Sequence, residues 1–239
     1  MATRLHLEGD WPDLVSIRRG WARATARPWN DDVPDISLRL FRGGADFLAQ
    51  ATDAIRSIHP ASVFSPALYS ANTKTWKRVG YEVHLELPVL ERSLISEVGP
   101  IPAEVSEAPT NRIDQLVDID RRAFDGFWRM AGAGITEALR ATPKVSVLVT
   151  TEAGELTGYA LIGTQLSVSF LQRVAVLPEK AGQGLGTALV RGSLIWGRRH
   201  GAQTMVLNLK PDNDRARSLY ERTGFVSTGT NLELLEYKG

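Results

Sequence analysis

The most constraining feature of the chain is a glycine-rich turn between an apolar strand and a helix. Residues 174–189 read VAVLPEKAGQGLGTAL, with glycines at the alternate positions 182, 184 and 186. Glycine takes positive φ without steric cost, so such a turn can bring backbone N–H groups close to a ligand. A helix that begins at once adds unpaired N–H donors and the positive end of its dipole. This geometry suits a phosphate or pyrophosphate group.

Two common nucleotide-binding motifs fit this turn poorly. A P-loop ends in Gly-Lys and then Ser or Thr, whereas Leu185-Gly186-Thr187 contains no lysine. A Rossmann fingerprint needs glycine or alanine three residues after its second glycine, and that position holds Thr187 or Leu189, depending on the register. The strand also lies late in the chain, without an obvious βαβ partner ahead of it.

The turn instead resembles motif A of the GNAT superfamily of acetyl-CoA-dependent N-acetyltransferases. In that motif a Val-x-Pro strand end is followed by Gln/Arg-x-x-Gly-x-Gly/Ala, whose amides hold the pyrophosphate of coenzyme A. Pro178, Gly184 and Gly186 match the motif, whereas the Gln/Arg position holds Ala181. The main-chain part of the motif does not depend on that residue.

A second stretch resembles another motif of the same family, Asn-x-x-Ala-x-x-Leu-Tyr-x-x-x-Gly-Phe. Residues 213–225 read NDRARSLYERTGF. In the family the asparagine contacts the pantetheine arm of the cofactor, and the tyrosine stands near the thiolate leaving group as general acid. The resemblance implies these roles for Asn213 and Tyr220. It also implies an α+β fold, with a central mixed, mostly antiparallel sheet flanked by helices.

The resemblance further implies which residues bind acetyl-CoA. Main-chain N–H groups at two strand positions would polarise the thioester carbonyl, as oxyanion donors do. The expected cofactor-binding residues are Val174, Val176, Gly182, Gln183, Gly184, Leu185, Gly186, Thr187, Asn213 and Tyr220, and the expected catalytic residue is Tyr220. Either Lys180 or Gln183 could replace the side-chain contact that Ala181 lacks.

The general base is not identified by the sequence. Many relatives place a glutamate on the strand before the turn, but residues 170–173 read FLQR, and glutamine cannot accept a proton at neutral pH. Glu155, Asp125 or a chain of water molecules all remain open as the route for the proton of the acceptor. Three aromatic residues either line the acceptor site or pack in the core: Phe124, Phe127 and Trp128.

The N-terminal part of the chain repeats a piece of the second motif. Residues 76–81, WKRVGY, align with residues 220–225, YERTGF. Trp76 takes the place of the tyrosine, and indole has no proton that titrates in the useful range. We therefore expect a shortened, degenerate GNAT-like domain over residues 1–96 and a catalytic GNAT domain over residues 101–239. The Pro-rich stretch 96–103 is the predicted boundary.

Hydrophobic patterning predicts the elements of both parts. In the first part we expect a helix over residues 13–23, a strand over 36–41, a helix over 47–58 and a strand over 84–90. In the second part we expect helices on both sides of Gly126, a hairpin of 145–151 with 156–163, and strands over 167–176 and 205–209. The helix after the glycine turn should face the sheet with Leu189, Val190, Ser193, Leu194 and Gly197, and end at Gly201.

Composition narrows the function classes. The absence of cysteine excludes disulfides, cysteine-based zinc sites and thiol catalysis, and the four histidines lack metal-ligand spacing, so we expect no metal. A net charge of +1 makes no electrostatic case for nucleic acid. No apolar run approaches the roughly 18 residues that span a bilayer, and the N-terminus lacks the apolar core of a signal peptide, so we expect a cytoplasmic protein.

The expected activity is transfer of the acetyl group of acetyl-CoA to a primary amine, by direct attack in a ternary complex. The amine is a small molecule or a protein N-terminus, and the protein is a monomer or homodimer. The alternative is a non-catalytic CoA-binding protein whose first domain is regulatory or binds a partner. Ala181 and the missing strand carboxylate favour the alternative, whereas Tyr220 and Asn213 oppose it.

Overall fold

The computed structural model describes residues 4–95 and 101–239. The chain forms two compact units, Met1–Leu87 with Asn231–Gly239, and Pro88–Thr230. Residues 96–100 of the predicted boundary lie outside the described residues. The predicted domain ranges, 1–96 and 101–239, therefore stay a prediction.

The first unit is a sheet against which one long helix packs. Strands β1 (His6–Glu8), β2 (Val15–Arg19), β3 (Ala22–Pro28) and β4 (Ile36–Arg42) form a consecutive antiparallel meander. Next come helix α1 (Ala45–Ile58), strands β5 (Val63–Phe64) and β6 (Leu68–Tyr69), a 3-10 turn (Ser70–Asn72), helix α2 (Lys74–Lys77) and strand β7 (Tyr81–Ser93). Strand β5 runs parallel to β4 and antiparallel to the end of strand β13 (Val226–Tyr237).

The predicted helix over residues 13–23 is wrong, because this segment is the β2–β3 hairpin. Gly20 has φ +59° and turns the chain, so that Arg19 pairs with Ala22. Val15 and Ile17 are buried, whereas Arg18 is exposed. Alternation of buried and exposed side chains at every second residue is typical of a strand. The predicted strand over 36–41 and helix over 47–58 are confirmed.

Trp76, the residue aligned with Tyr220, is a core residue of the first unit. It is buried and packs edge-on against Tyr81, with ring centroids 4.8 Å apart. The Tyr81 hydroxyl is 2.8 Å from the Thr52 hydroxyl of α1. Trp76 therefore serves packing, as an indole at that position should.

The second unit is a mixed sheet with helices on both faces, as predicted. Its further elements are β8 (Val105–Ala108), α3 (Ile113–Ala123), a 3-10 turn (Gly126–Trp128), α4 (Gly132–Arg140), β9 (Lys144–Glu152), β10 (Glu155–Gln165), β11 (Val168–Val176), a 3-10 turn (Pro178–Lys180), α5 (Leu185–Arg199), β12 (Thr204–Asn208) and α6 (Asp214–Arg222). The strand order is β7–β12–β11–β10–β9–β8, antiparallel except for the β11–β12 pair.

The two faces of this sheet are buried by different helices. On one face, α5 packs Leu189, Val190 and Leu194 against Leu148, Ala160 and Ile162 of the strands. On the other, α3 and α4 pack Leu116, Ile119 and Ile135 against Val147, Val149, Tyr159 and Leu161. Successive residues of β9 and β10 thus point to opposite cores, as strand geometry requires.

Most predicted elements of this unit are confirmed, and one is not. The hairpin, the strands and the buried face of α5 agree with prediction, and Gly201 has the positive φ (+94°) of a helix C-terminus. The predicted helix after Gly126 is wrong. Gly126 has φ +38° and opens a single 3-10 turn, after which Arg129 is extended and α4 begins only at Gly132.

Replacement of a core leucine tests this two-sided packing. We expect Leu148→Ala to lower the free energy of unfolding by about 3 kcal/mol, because the cavity beneath α5 cannot collapse fully. Leu166→Ala is the matched control, since Leu166 is 91% exposed, and it should change stability little. Urea denaturation measures both, and equal losses would contradict the assignment of the core.

Candidate active site

A cleft opens where two parallel strands of the second unit separate. Strands β11 and β12 pair from Val168–Thr204 to Phe170–Val206, and beyond that β11 pairs only with β10 as far as Val176. The resulting cleft has a volume of about 400 Å³. It is lined by residues of α3, β11, the glycine turn, α5 and α6: Ala123, Phe124, Val174, Ala175, Val176, Pro178, Lys180, Ala181, Gly182, Gly184, Leu185, Gly186, Thr187, Asn213, Arg215, Ala216, Leu219, Tyr220 and Arg222.

The glycine turn presents its backbone to this cleft. Gly182 and Gly184 have φ +83° and +85°, a left-handed conformation that other residues rarely adopt. Gly184 is the N-cap of α5, and a Cβ at either position would meet nothing within 4 Å. Gly186 serves close packing instead, because a Cβ there would lie 3.0 Å from the Leu219 side chain of α6. The first N–H groups of α5 thus face open space at the positive end of its dipole.

The alternation of backbone groups along β11 directs two N–H groups into the cleft. The N–H of Leu177 donates to the Thr157 carbonyl on the β10 side, at 2.9 Å. Successive N–H groups of a strand point to opposite edges, so those of Val176 and Val174 point away from β10. On that edge β12 has already diverged. These are the two N–H groups that the sequence predicted as carbonyl donors.

The charge lining the cleft is positive. Lys180, Arg215 and Arg222 line it, and none of its lining residues within the described ranges is a carboxylate. The Lys180 ammonium forms an ion pair with Glu152 at the end of β9. Such a surface suits a ligand that carries several negative charges.

The structure brings together all of the predicted cofactor-binding residues except Gln183. The side chain of Gln183 points to the Glu179 carbonyl, 3.5 Å away, and does not line the cleft. Of the two candidates to replace the contact missing at Ala181, only Lys180 faces the cleft. Asn213 caps α6, since its side-chain oxygen accepts from the Ala216 N–H at 3.0 Å.

Tyr220 lines the cleft and holds its proton tightly. Its ring packs edge-on against Phe225, with centroids 5.7 Å apart, and contacts the core beneath α5. Burial raises the pKa of Tyr220 to about 12, and the nearby charge of Arg173 opposes that shift. The hydroxyl is therefore protonated throughout the physiological range and can only donate a proton there.

A buried ion pair that the sequence did not predict lies beside Phe124 and Tyr220, two residues that line the cleft. Asp120 of α3 is fully buried, and Arg173 of β11 donates to both of its oxygens, at 2.7 and 2.8 Å. Tyr159 donates to Asp120 at 2.6 Å, and the Met130 N–H donates at 2.7 Å. Burial and the charge of Asp120 raise the pKa of Tyr159 well above its usual value, so it stays a donor.

Arg173 also contacts the segment that follows α3 and borders the cleft. The Phe124 ring, which lines the cleft, lies 3.5 Å from the centre of the guanidinium, and Arg173 donates to the Trp128 carbonyl at 2.7 Å. The predicted acceptor-wall aromatics divide accordingly. Phe124 lines the cleft, whereas Phe127 and Trp128 do not.

The two carboxylates proposed as bases lie elsewhere. Glu155 lines a separate cleft of about 350 Å³ with Asp114 and Asp118, and Asp125 lines neither cleft. The ion pair between Asp120 and Arg173, which sequence reasoning missed, had one signal in the sequence. Asp120 follows Leu116 and Ile119 on the buried stripe of α3, and a carboxylate in such a stripe needs a buried cation.

The Asp120–Arg173 ion pair should contribute to stability mainly because each charge needs the other when buried. We expect Arg173→Met to lower the free energy of unfolding by about 3 kcal/mol, because Asp120 would be left buried without a counter-charge. Adding Asp120→Asn should recover part of this loss. Arg122→Met is the control, since its partner Glu179 is exposed. Urea denaturation would contradict the assignment if the double variant were no more stable than Arg173→Met.

Neither a metal cluster nor a membrane span emerges from the described ranges. Their histidine, aspartate and glutamate side chains form no group of three that could hold a metal ion. Every helix in those ranges is too short or too polar to cross a bilayer.

Comparison with known proteins agrees with the geometry. The family described as Acetyltransferase (GNAT) family matches residues 113–225. N-alpha-acetyltransferase 30 of Schizosaccharomyces pombe is 41% identical over 63 residues, 26% of this chain and 41% of that protein. L-amino acid N-acyltransferase MnaT of Escherichia coli is 32% identical over 120 residues, 48% of this chain and 63% of that protein. The chain thus spans less than two thirds of each of these two relatives.

The fold has a counterpart among solved structures. A tandem GNAT protein from the clavulanic acid biosynthesis pathway has a TM-score of 0.59 at 17% identity, over 98% of this chain and 83% of that one. The α+β GNAT fold predicted from the two motifs is confirmed. Residues 113–225 are thus similar in sequence to the GNAT acetyltransferases, and the chain shares their fold.

Proposed function

We propose that the protein transfers the acetyl group of acetyl-CoA to a primary amine by direct attack in a ternary complex. One observation carries the proposal. A left-handed glycine turn, a helix N-terminus and three cations line the same cleft as Tyr220 and the outward-facing N–H groups of β11. Phosphate recognition and acyl-transfer groups are thus combined in one cavity.

The residues present fit coenzyme A. The pyrophosphate would be held by the N–H groups between Gly182 and Thr187, where the backbone is open and the helix dipole is positive. Lys180 would supply the charge that Ala181 cannot, by exchanging Glu152 for a phosphate. The N–H groups of Val174 and Val176 would polarise the thioester carbonyl.

Tyr220 serves the leaving sulfur in this proposal. The amine nitrogen attacks the carbonyl carbon, the C–S bond breaks, and the sulfur takes the Tyr220 proton while the new ammonium nitrogen loses one. A thiol has a pKa near 8.5, so complete transfer from a hydroxyl of pKa about 12 would cost about 5 kcal/mol. Tyr220 must therefore regain a proton as it gives one, which favours a relay from the nitrogen.

The acceptor class proposed is a primary amine of a small molecule or of a protein N-terminus. One relative is named an N-alpha-acetyltransferase and the other an L-amino acid N-acyltransferase, which supports this class. The competing proposal is a CoA-binding protein without turnover. The positive lining without a carboxylate favours it, because such a surface binds a polyanion but supplies no base.

Substitution of the turn tests the cofactor site. We expect Gly184→Glu to weaken CoA binding at least 100-fold, because a carboxylate at that open position repels the pyrophosphate. Gly201→Glu is the matched control: its φ of +94° imposes similar strain, and its Cβ also meets open space. Calorimetric titration measures both. Equal affinities in the two variants would refute the proposed cofactor site.

Removal of the hydroxyl of Tyr220 separates the two proposed functions. For an acetyltransferase, Tyr220→Phe should reduce kcat by about 10² to 10⁴, the range of general acid–base effects, with CoA affinity unchanged. Acetylation of an amine panel, followed by the release of free thiol, measures the rate. Undiminished turnover would show that Tyr220 is not the acid, and no turnover in the unsubstituted protein would favour the binding protein.

A further inference from the structure

We propose that the first unit binds single-stranded nucleic acid on the open face of its sheet, the face opposite α1. The inference is independent of the proposed acetyl transfer, because every residue that carries it lies in β1–β4 and the turns between them. Three observations support it: a row of arginines across neighbouring strands, two exposed aromatic side chains beside that row, and the position of most carboxylates at the far end of the strands.

The sheet of the first unit has one covered face and one open face. Apolar residues of β2, β3 and β4, among them Ile17, Ala24 and Leu38, form one core with Phe47 and Leu48 of α1. Successive strand residues point to opposite faces, so the residues between these apolar positions point away from α1. They are polar and partly or fully exposed: Ser16, Arg18, Arg23, Thr25, Arg27, Ser37 and Arg39.

Three arginines of the open face stand directly opposite one another. Arg18 of β2 pairs with Arg23 of β3, and Arg23 pairs with Arg42 of β4. All three are exposed, and His6 of β1, opposite Arg18, extends the row onto a fourth strand. Neighbouring strands lie about 4.8 Å apart, and like charges directly opposite each other destabilise a sheet. A bound anion would relieve this repulsion, so the row suits a ligand with several phosphates.

One carboxylate borders this arginine row, and its ion pair is weak. Glu8 of β1 lies 3.7 Å from Arg18, and both side chains are more than half exposed. Asp46 pairs instead with Arg19, whose guanidinium lies over the Phe47 ring on the α1 side of the sheet. The row therefore keeps most of its positive charge.

The other carboxylates near the open face lie at the far end of its strands, in the loops there and on β13: Asp10, Asp13, Asp31, Asp32, Asp35 and Glu236. Arg23 is separated from Pro28 at that end by roughly 17 Å along β3. The Debye length at 0.1 M salt is about 10 Å, so these carboxylates screen the row little. The net charge of +1 for the whole chain thus conceals a local excess of positive charge.

Two exposed aromatic side chains adjoin the arginine row. Phe41 is the extra residue of a β-bulge between β3 and β4, is 58% exposed, and has its ring centroid 5.8 Å from the Arg23 guanidinium. Trp21, in the β2–β3 turn, is 71% exposed. Proteins that bind single strands combine cations along the backbone with aromatic rings on which bases stack. An acidic peptide has carboxylates for the arginines but no bases to stack, so the aromatic pair favours a polynucleotide.

Fluorescence anisotropy with labelled oligouridylate and oligothymidylate, each of twelve nucleotides, tests the proposal. We expect saturable binding of both at about 50 mM salt. The slope of log K against log salt should be about −2, because each of three phosphate contacts to a single strand contributes about −0.7. Failure of both oligonucleotides to bind at this salt concentration would overturn the proposal.

Replacement of the arginine row identifies the surface. We expect the triple variant Arg18→Gln, Arg23→Gln and Arg42→Gln to weaken binding at least 10-fold at about 50 mM salt and to bring the slope close to zero. Urea denaturation should find this variant no less stable than the unsubstituted protein, because the like charges are removed. If the triple variant does not fold, Arg23→Gln alone should reduce the slope by about 0.7.

The matched control removes the same charge from exposed positions on and beside α1 and α2. The variant Arg56→Gln, Lys74→Gln and Arg78→Gln should bind as the unsubstituted protein does. Equal affinities in the two triple variants would overturn the proposal. So would a loss of binding in Gly184→Glu with the row variant unaffected, because the oligonucleotide would then occupy the cleft of the second unit.

The aromatic side chains separate a polynucleotide from other polyanions. Trp21→Ala and Phe41→Ala should each weaken binding about 10-fold with the salt slope unchanged, because stacking carries no charge. Tyr69→Ala, at another exposed ring of the first unit, is the matched control and should have no effect. If the aromatic variants bind normally and dodecaglutamate or anionic vesicles compete as well as unlabelled oligonucleotide, the face binds an acidic peptide or a membrane and the proposal is wrong.

Discussion

The separation of β11 from β12 is the constraint on which the site depends. Parallel pairing holds these strands together for three residue pairs only, from Val168 to Phe170 on β11. Beyond that point the edge of β11 that faces β12 has N–H groups without a strand partner. In an unbroken sheet these groups would donate to the neighbouring strand. The same separation leaves room for α5 and α6 to approach each other, with Gly186 allowing contact at the Leu219 side chain. The end of this pairing therefore produces both the outward-facing N–H groups of β11 and the cavity.

The glycine turn and the edge of strand β11 contribute different groups to the cleft. Gly182 and Gly184 hold positive φ and expose backbone donors beside a helix N-terminus, and this geometry does not depend on a particular side chain. This explains how the motif can keep its geometry with alanine at position 181. Tyr220 also lines the cleft, where burial raises its pKa, and strand β11 directs two N–H groups outward.

Arg173 ties strand β11 to the side of the cleft that Phe124 lines. Its planar fork holds Asp120 and the Trp128 carbonyl, and its upper face carries Phe124. A lysine could not make these contacts together, because it presents one point charge rather than a fork. The pair also gives the buried Asp120 carboxylate a counter-charge.

The sequence by itself determined the features that depend on residues close together in the chain. The cradle from Gly182 to Thr187 was predictable because glycine φ and the start of a helix are local properties, and the buried face of α5 followed from its period. The sequence misread residues 13–23, because a short amphipathic segment fits a helix until Gly20 turns it and β1 and β4 pair with it. Only the tertiary structure decided that Asp120 pairs with Arg173. It also decided that Lys180 and not Gln183 lines the cleft, and that Glu155 and Asp125 do not. Those outcomes depend on contacts between distant elements, and hydrophobic periodicity carries no information about which charges such contacts bury.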